Sequence, residues 1–308
     1  MTNRYLGVDP LLTNFSIGYK NAEMIAQILL PDLAVKFDTG KHWIYDRGGF
    51  RTEETRRGQG AKSREVTHGL TTGLAYSCED HAIKEFVSDE DVRNAAEGRD
   101  PYQDATENVT NKLLLGREVE AATMLRDTSI LTQNDTLVGS EQWSDSNSDP
   151  VTAIREASSQ IFGQIFQKPN VLMLSKQVFD KLQDHPAIVE RVKYSQLGVL
   201  TVDLLARFFD VQTVIIGAAG QNSSVEGQAD SMGFVWGKDA ILAYVNPTIG
   251  QKTITMGLTY RTGSRTIERL DGSEERDRRG IFIRGGDERY DQKIVSPLCA
   301  FLFKNAVA

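Results

Sequence analysis

Residues 35–76 read VKFDTGKHWIYDRGGFRTEETRRGQGAKSREVTHGLTTGLAY, and the architecture turns on how this stretch folds. Its flanks, 35–46 and 65–76, mix aromatic, β-branched and threonine residues with polar ones, the pattern of strands. Between them, 47–64 (RGGFRTEETRRGQGAKSR) carries glycine and charge with almost no apolar residue. The pattern predicts a long hairpin with a polar tip. Arms of about eleven or twelve residues, at roughly 3.3 Å each, project it roughly 35–40 Å. A two-stranded ribbon of that length has no core of its own and is marginal alone. It has to lie on something else, and a neighbouring subunit is the expected support.

Upstream, residues 1–35 offer scattered apolar anchors (Leu11, Leu12, Phe15, Ile17) and a short helical run over 21–30, stopped by Pro31. Such a segment suits lying along another surface. Downstream, 77–99 reads as broken helix ending near Gly98. Asp100-Pro101 then opens the longest helix, to about residue 127, because proline in the first turn after aspartate is a good start signal. At 1.5 Å per residue it is a rod of about 40 Å. Its apolar residues spread round the circumference, so contacts on more than one side are expected. Residues 128–149 read as loop.

Asp149-Pro150 caps another helix, whose Val151, Ile154, Ala157, Ile161 and Ile165 share one face. Short strands at 171–174, 212–216, 234–236 and 241–245 alternate with helices at 176–183, 186–194 and 201–208. Together they predict an α/β globule over 149–245. From 252 to 270 the pattern is strand, followed by a charged tip at 271–279, a return strand at 281–284 and a final strand at 293–303. The fold class is α+β.

With 308 residues, a chain of this length buries about three quarters of its unfolded surface. Its net charge of −7 argues against a dedicated nucleic-acid binder, which carries a basic excess, but not against a protein that encloses DNA. Cys78 and Cys299 lie in apolar surroundings and read as buried, reduced thiols. No signal peptide is evident, and the longest apolar stretches, 214–219 and 298–303, are too short to span a bilayer. Synthesis and folding in a cytoplasm are expected.

No motif predicts a catalytic, cofactor or metal site. Gly233 to Asp239 is one residue short of a phosphate loop, and Asp239 stands where a hydroxyl is needed, so a turn between strands is expected. Gly58-Gln-Gly60 lacks the third glycine of a dinucleotide loop. His42, His68, His81 and His185 have no metal-ligand spacing, and G-x-S-x-G is absent. Carboxylates such as Glu53-Glu54 are interleaved with arginine, which marks solvated loop charge. The candidate subunit-interface residues are therefore Arg47, Arg51, Arg56, Arg57, Lys62 and Arg64 in the hairpin. The second tip adds Asp271, Glu274, Glu275, Arg276, Arg278 and Arg279. Mixed-sign tips favour the right docking and reject the wrong one.

Several stretches resemble the major capsid proteins of tailed bacteriophages. They are LLTNFSIGYKNAEMIAQILLPDLAV (11–35), GKHWIYDR (40–47), TRRGQGAKSREV (55–66), DPVTAIREASSQIFG (149–163), KPNVLMLSKQVFDKLQDHPAIVERVKY (168–194) and YDQKIVSPLCAFLFKNAV (290–307). The resemblance covers essentially the whole chain, and order and spacing make it specific. It implies a Hong Kong 97 type capsid fold. The implied map is an N-terminal arm at 1–36, an E-loop hairpin at 37–80 and a P-domain with its spine helix at 81–148. An A-domain follows at 149–246, a P-domain return hairpin at 247–290 and a C-terminal A-domain strand at 291–308.

The implied function is self-assembly into an icosahedral head shell enclosing double-stranded DNA, without enzymatic activity. Implied partners are copies of itself in hexamers and pentamers, a portal, an optional decoration protein, and packaged DNA without sequence-specific contact. No membrane is implied. Many relatives carry a cleaved N-terminal scaffold region. Here Met1 directly precedes the arm, which implies a separate scaffolding protein or the loss of nothing at all. Lys41 and Lys62 sit in the hairpin that forms Lys–Asn crosslinks in some relatives, but crosslinking is not expected. An encapsulin-type nanocompartment subunit shares this fold and is the alternative reading, marked by a cargo-docking groove. A hydrolase lacks its motifs here, and a tail-tube subunit would lack the rod helix.

Overall fold

The structure, a computed structural model, describes residues 7–19, 21–45, 47–65, 70–96, 98–192, 201–225, 227–251, 253–272 and 279–308. Two sheets organise these residues, and the long helix links them. In the first sheet the strands run in the order Gly7–Val8, Thr266–Asp271, Gly280–Ile294, Gly257–Thr262 and Asp32–Ala34, and Glu79–Ser88 also pairs along Gly280–Ile294. The second sheet has the order Asn134–Thr136, Ala300–Lys304, Ala240–Ala243, Val171–Ser175 and Thr213–Gly217.

The strand Gly280–Ile294 is the backbone of the first sheet, and the sequence pattern concealed it. Only 281–284 reads as strand, because Gly285-Gly286-Asp287-Glu288 interrupts the apolar run. The ladder has a register shift there, between Gly285 and Glu288, with Asp287 in the left-handed region. Gly285 is required by packing: a Cβ on it would lie 2.6 Å from Val109 Cγ1 of the long helix. The predicted strand over 252–270 is interrupted at 263–265 into Gly257–Thr262 and Thr266–Asp271, which pair end to end with the two halves of Gly280–Ile294, opposite Glu79–Ser88. The predicted final strand over 293–303 also divides. Pro297 cannot donate to a ladder, so the chain turns through a short 3-10 helix and Ala300–Lys304 joins the second sheet.

Residues 77–99 fold differently from the expected broken helix. Glu79–Ser88 is a strand, and only Asp89–Asn94 is helical, begun by a capping box between Ser88 and Asp91. Pairing along the exposed edge of Gly280–Ile294 outweighs the helical preference of Glu, Ala and Lys. In the arm, Pro10–Gly18 is a helix where only anchors were read, and the predicted 21–30 helix contracts to Ala26–Leu29. In the loop at 217–231 and the predicted strand at 234–236, the chain instead pairs Gly220–Asn222 with Met232–Phe234.

The long helix runs Pro101–Leu125, capped by Asp100, whose side chain accepts from Tyr102 N at 3.0 Å. Ala105 and Val109 face the first sheet, and Ala121, Ala122 and Leu125 join the core of the second. The arm helices lie against it as well, so it is contacted on several sides as its pattern predicted. Helix Pro150–Ile165 is capped by Asp149 and buries Val151, Ile154, Ala157, Ile161 and Ile165. It packs on the second sheet, whose interior strand Val171–Ser175 is buried on both faces. Cys78 and Cys299 are buried free thiols. Among the described residues, no helix is long and apolar enough to cross a membrane.

The hairpin is present but shorter than predicted: Thr39–Tyr45 pairs with Leu70–Ser77, about 25 Å of ribbon. Residues 35–38 instead fold back on the first sheet, with Val35 N bonded to Arg261 O at 2.9 Å and Cys78 N to Asp38 O at 2.7 Å.

Ile161→Ala should lower the unfolding free energy by about 2–5 kcal/mol, the range for a truncated core isoleucine. Urea denaturation followed by fluorescence measures it.

Candidate subunit-contact site

The hairpin is rigid where it leaves the body. His42, 1% exposed, and Tyr76 close over Tyr260 of the strand Gly257–Thr262. The Tyr76 and Tyr260 rings stack with centroids 4.4 Å apart and planes 2° from parallel. His42 Nε2 lies 2.9 Å from Ile294 O, so that nitrogen carries the hydrogen, and Nδ1 accepts from Tyr260 Oη at 2.9 Å. Burial lowers the His42 pKa and pushes the Tyr260 hydroxyl up to about 12, so both stay neutral at neutral pH. Gly40 has no Cβ because the Tyr76 ring fills that space, 2.5 Å from where it would stand.

Beyond the root, Phe50 of the 3-10 turn meets Phe166, and past that turn the support ends. Residues 51–65 are exposed throughout. Arg51, Arg56, Arg57, Lys62 and Arg64 all lie on this stretch, and Arg47 heads the 3-10 turn Arg47–Phe50 that opens it. The bonds within the tip are local: Arg57 Nη1 donates to Ser63 Oγ at 3.2 Å, and Arg64 lies 3.6 Å from Glu53. Exposed pairs of this kind contribute at most about 1 kcal/mol each.

The second charged tip lies elsewhere. Asp271 ends a strand beside Gly280, and Arg279 O accepts from Asp89 N at 3.0 Å. Glu274, Glu275, Arg276 and Arg278 lie outside the described residues. This tip sits at the Gly280 end of Gly280–Ile294 and the hairpin root at the Ile294 end. At about 3.3 Å per residue the strand separates them by roughly 45 Å. The bases of the two candidate clusters therefore lie at opposite ends of one strand.

The sequence reading missed a buried polar node between the arm, the long helix and both sheets. Glu118, 1% exposed, accepts from Ile25 N at 3.0 Å, Ala26 N at 2.7 Å and Trp236 Nε1 at 2.6 Å. Beside it Arg117 pairs with Asp32 and donates to Thr259 Oγ1 at 3.2 Å. Glu288 lies 3.5 Å from Arg265, 3.7 Å from Arg261 and 4.0 Å from Arg117. Burial pushes the Glu118 carboxyl above its ordinary range, while its N–H donors and Arg117 pull in the opposite direction. The available sequence signal was Arg117-Glu118, set between Leu113-Leu114-Leu115 and Ala121-Ala122 on a helix expected to be covered.

The turn Gly233 to Asp239 is also structural. Asp239 is buried, 2.5 Å from Arg126 Nε of the long helix, and accepts from Asn305 N at 2.9 Å. Among the described residues, no three His, Cys, Asp or Glu side chains are placed to hold a metal ion.

A family model described as phage major capsid protein E matches residues 130–251. The major capsid protein of Pseudomonas phage JBD67 is 30% identical over the whole length of both chains. The chain belongs to the phage major capsid protein family. The function that goes with membership is to form the icosahedral head shell of a tailed phage. As a major capsid protein, the chain is also similar in structure to a phage-related protein of Bordetella bronchiseptica, with a TM-score of 0.79 and 27% identity over 98% of this chain and 99% of that one. The capsid structure of cyanophage P-SCSP1u matches with a TM-score of 0.56 and 11% identity over 89% of this chain and 85% of that one. The fold is of the Hong Kong 97 type.

Glu118→Ala should cost about 3 kcal/mol, because three buried N–H groups lose their acceptor at about 1–3 kcal/mol each. The charge effect has a definite sign. Above the unfolded value of 4.5 and below the raised folded value, the folded chain keeps a proton that the unfolded chain has lost. Stability from this group is thus full below 4.5 and declines as pH rises through the folded pKa. Denaturation from pH 4 upward should show this decline in the wild type and its absence in Glu118→Gln.

Proposed function

We propose that this subunit enters the head shell in hexamers and pentamers, and that the rooted hairpin carries the contacts by lying over neighbouring subunits. The observation behind this reading is the contrast within one hairpin. Its root is locked by His42, Tyr76 and Tyr260, while residues 51–65 are exposed and carry Arg51, Arg56, Arg57, Lys62 and Arg64. A ribbon held so firmly at one end and left without a core at the other needs an external surface. Shell closure requires one surface of each copy to meet a different surface of the next. Many weak, overlapping contacts meet that requirement while allowing misplaced subunits to leave.

Under this reading residues 1–36 act as the arm, 37–80 as the projecting hairpin, and 149–246 with 291–308 as the axial part. Residues 81–148 and 247–290 form the peripheral part, with Asp271, Glu274, Glu275, Arg276, Arg278 and Arg279 as a second contact. The protein is structural, with no catalytic role, and folds in the host cytoplasm before assembly. A separate scaffolding protein and a portal would guide assembly. A net charge of −7 suits a lumen through which DNA moves without adhering.

Reversing Arg51, Arg56, Arg57 and Arg64 together to Glu should leave circular dichroism and the melting temperature unchanged, because all four are exposed. Shell formation should be lost, since like charges across a contact cost several kcal/mol. Electron microscopy of wild type and variant reads the outcome, and abundant regular shells from the variant would remove the hairpin tip from the assembly contacts.

A further inference from the structure

The helix Pro150–Ile165 ends in an unusual way. Its C-cap, Phe166, has φ 52° and ψ 28°, in the left-handed region. The other non-glycine residues described with positive φ are Asp210, Asp287 and Asn305, types that tolerate this conformation. Phenylalanine does not, and glycine is the usual residue at such a helix end. The chain nevertheless keeps an aromatic ring here, and the ring is 56% exposed. One turn earlier Phe162 is 50% exposed, and the two rings meet edge to face at 6.3 Å. A strained backbone that holds two rings together on the surface is a feature of binding surfaces rather than of cores.

The structure also shows what fits there. Phe50, at the end of the 3-10 turn that opens the hairpin tip, stands edge-on to Phe166 with centroids 5.2 Å apart and planes at 70°. The fit is incomplete: Phe50 is still 40% exposed, and both rings of the pair remain half open. Among the described residues of one chain, Phe50 of the rooted hairpin meets the aromatic pair edge-on at Phe166. A second copy carries the same hairpin and can bring it in from another direction.

We propose that Phe162 and Phe166 form a seat for the hairpin of a neighbouring copy, with Phe50 as the side chain that enters it. In the unassembled chain the seat is touched in cis, and in the shell it is filled in trans. This exchange of an identical element between copies adds no new kind of contact and leaves a second, partly satisfied state for the free chain. The proposal rests on the shell reading above and names the partner surface for one part of the tip.

The test places a photoreactive benzophenone side chain at position 50 and co-assembles that chain with 15N-labelled wild type. Shells and unassembled chain are separated by sedimentation, irradiated, and analysed by mass spectrometry. In shells, cross-links from position 50 should reach 15N peptides containing residues 162–166. In unassembled chain they should reach only unlabelled ones. Shells whose cross-links at that peptide are all unlabelled, or whose position 50 links elsewhere, overturn the seat alone. Failure of the wild type to form shells is seen by microscopy before irradiation and overturns the shell reading beneath it. If the benzophenone chain is excluded from shells, Phe166→Gly decides. It relieves the left-handed strain, so the melting temperature should hold or rise, while shell yield should fall roughly tenfold, the equivalent of one lost contact of ordinary strength. Unchanged yield overturns the proposal.

Discussion

A carboxylate cannot be taken out of water unless donors replace the water, and the arrangement of the whole subunit follows from how that requirement is met at Glu118. The long helix carries this group into a place with no solvent. Its partners there are two backbone N–H groups of the arm and the indole N–H of Trp236, next to the second sheet. None of these donors comes from the helix itself. The arm, the helix and the second sheet are therefore held to each other by one group whose geometry fails if any of them moves. Arg117 does the same in the other direction, joining Asp32 of the arm and Thr259 of the first sheet. Apolar packing alone would tolerate sliding along the helix, whereas this polar node specifies a single position.

That fixed body gives the projecting parts their meaning. The hairpin leaves a root in which neutral His42, Tyr76 and Tyr260 interlock, so its direction is set by the first sheet. Past the 3-10 turn nothing within the described chain covers it. The second charged tip leaves the far end of the same strand. One strand thus carries the bases of two charged tips at its two ends.

The sequence revealed those features whose cause is local. The helix starting at Asp100-Pro101, the one starting at Asp149-Pro150 and the buried strand Val171–Ser175 each carry their own cap or apolar pattern. The hairpin was legible for the same reason, although its arms were overestimated because 35–38 looks like strand while serving to dock the root. Features that depend on distant partners were hidden. Glu79–Ser88 is a strand only because Gly280–Ile294 offers an edge, and that strand is itself broken in sequence by the glycines that admit Val109. In the arm helix, Leu12 and Ser16 face inward while Leu11 and Phe15 face out, so its apolar residues mark the wrong side. Arg51, Arg56, Arg57, Lys62 and Arg64 are exposed as a polar tip implies, but the ionic node was invisible because its members come from remote parts of the chain.

Interior positions of the two sheets are filled by late segments. Gly280–Ile294 is flanked by strands on both sides in the first sheet, and Ala300–Lys304 lies between Asn134–Thr136 and Ala240–Ala243 in the second. A ribosome releases these residues after nearly everything they pair with. Until they arrive, neither layer is complete, and the projecting tips have no frame to stand on. Interrupted translation products would then be excluded from shells by default, although their unpaired strand edges would stay open to other chains.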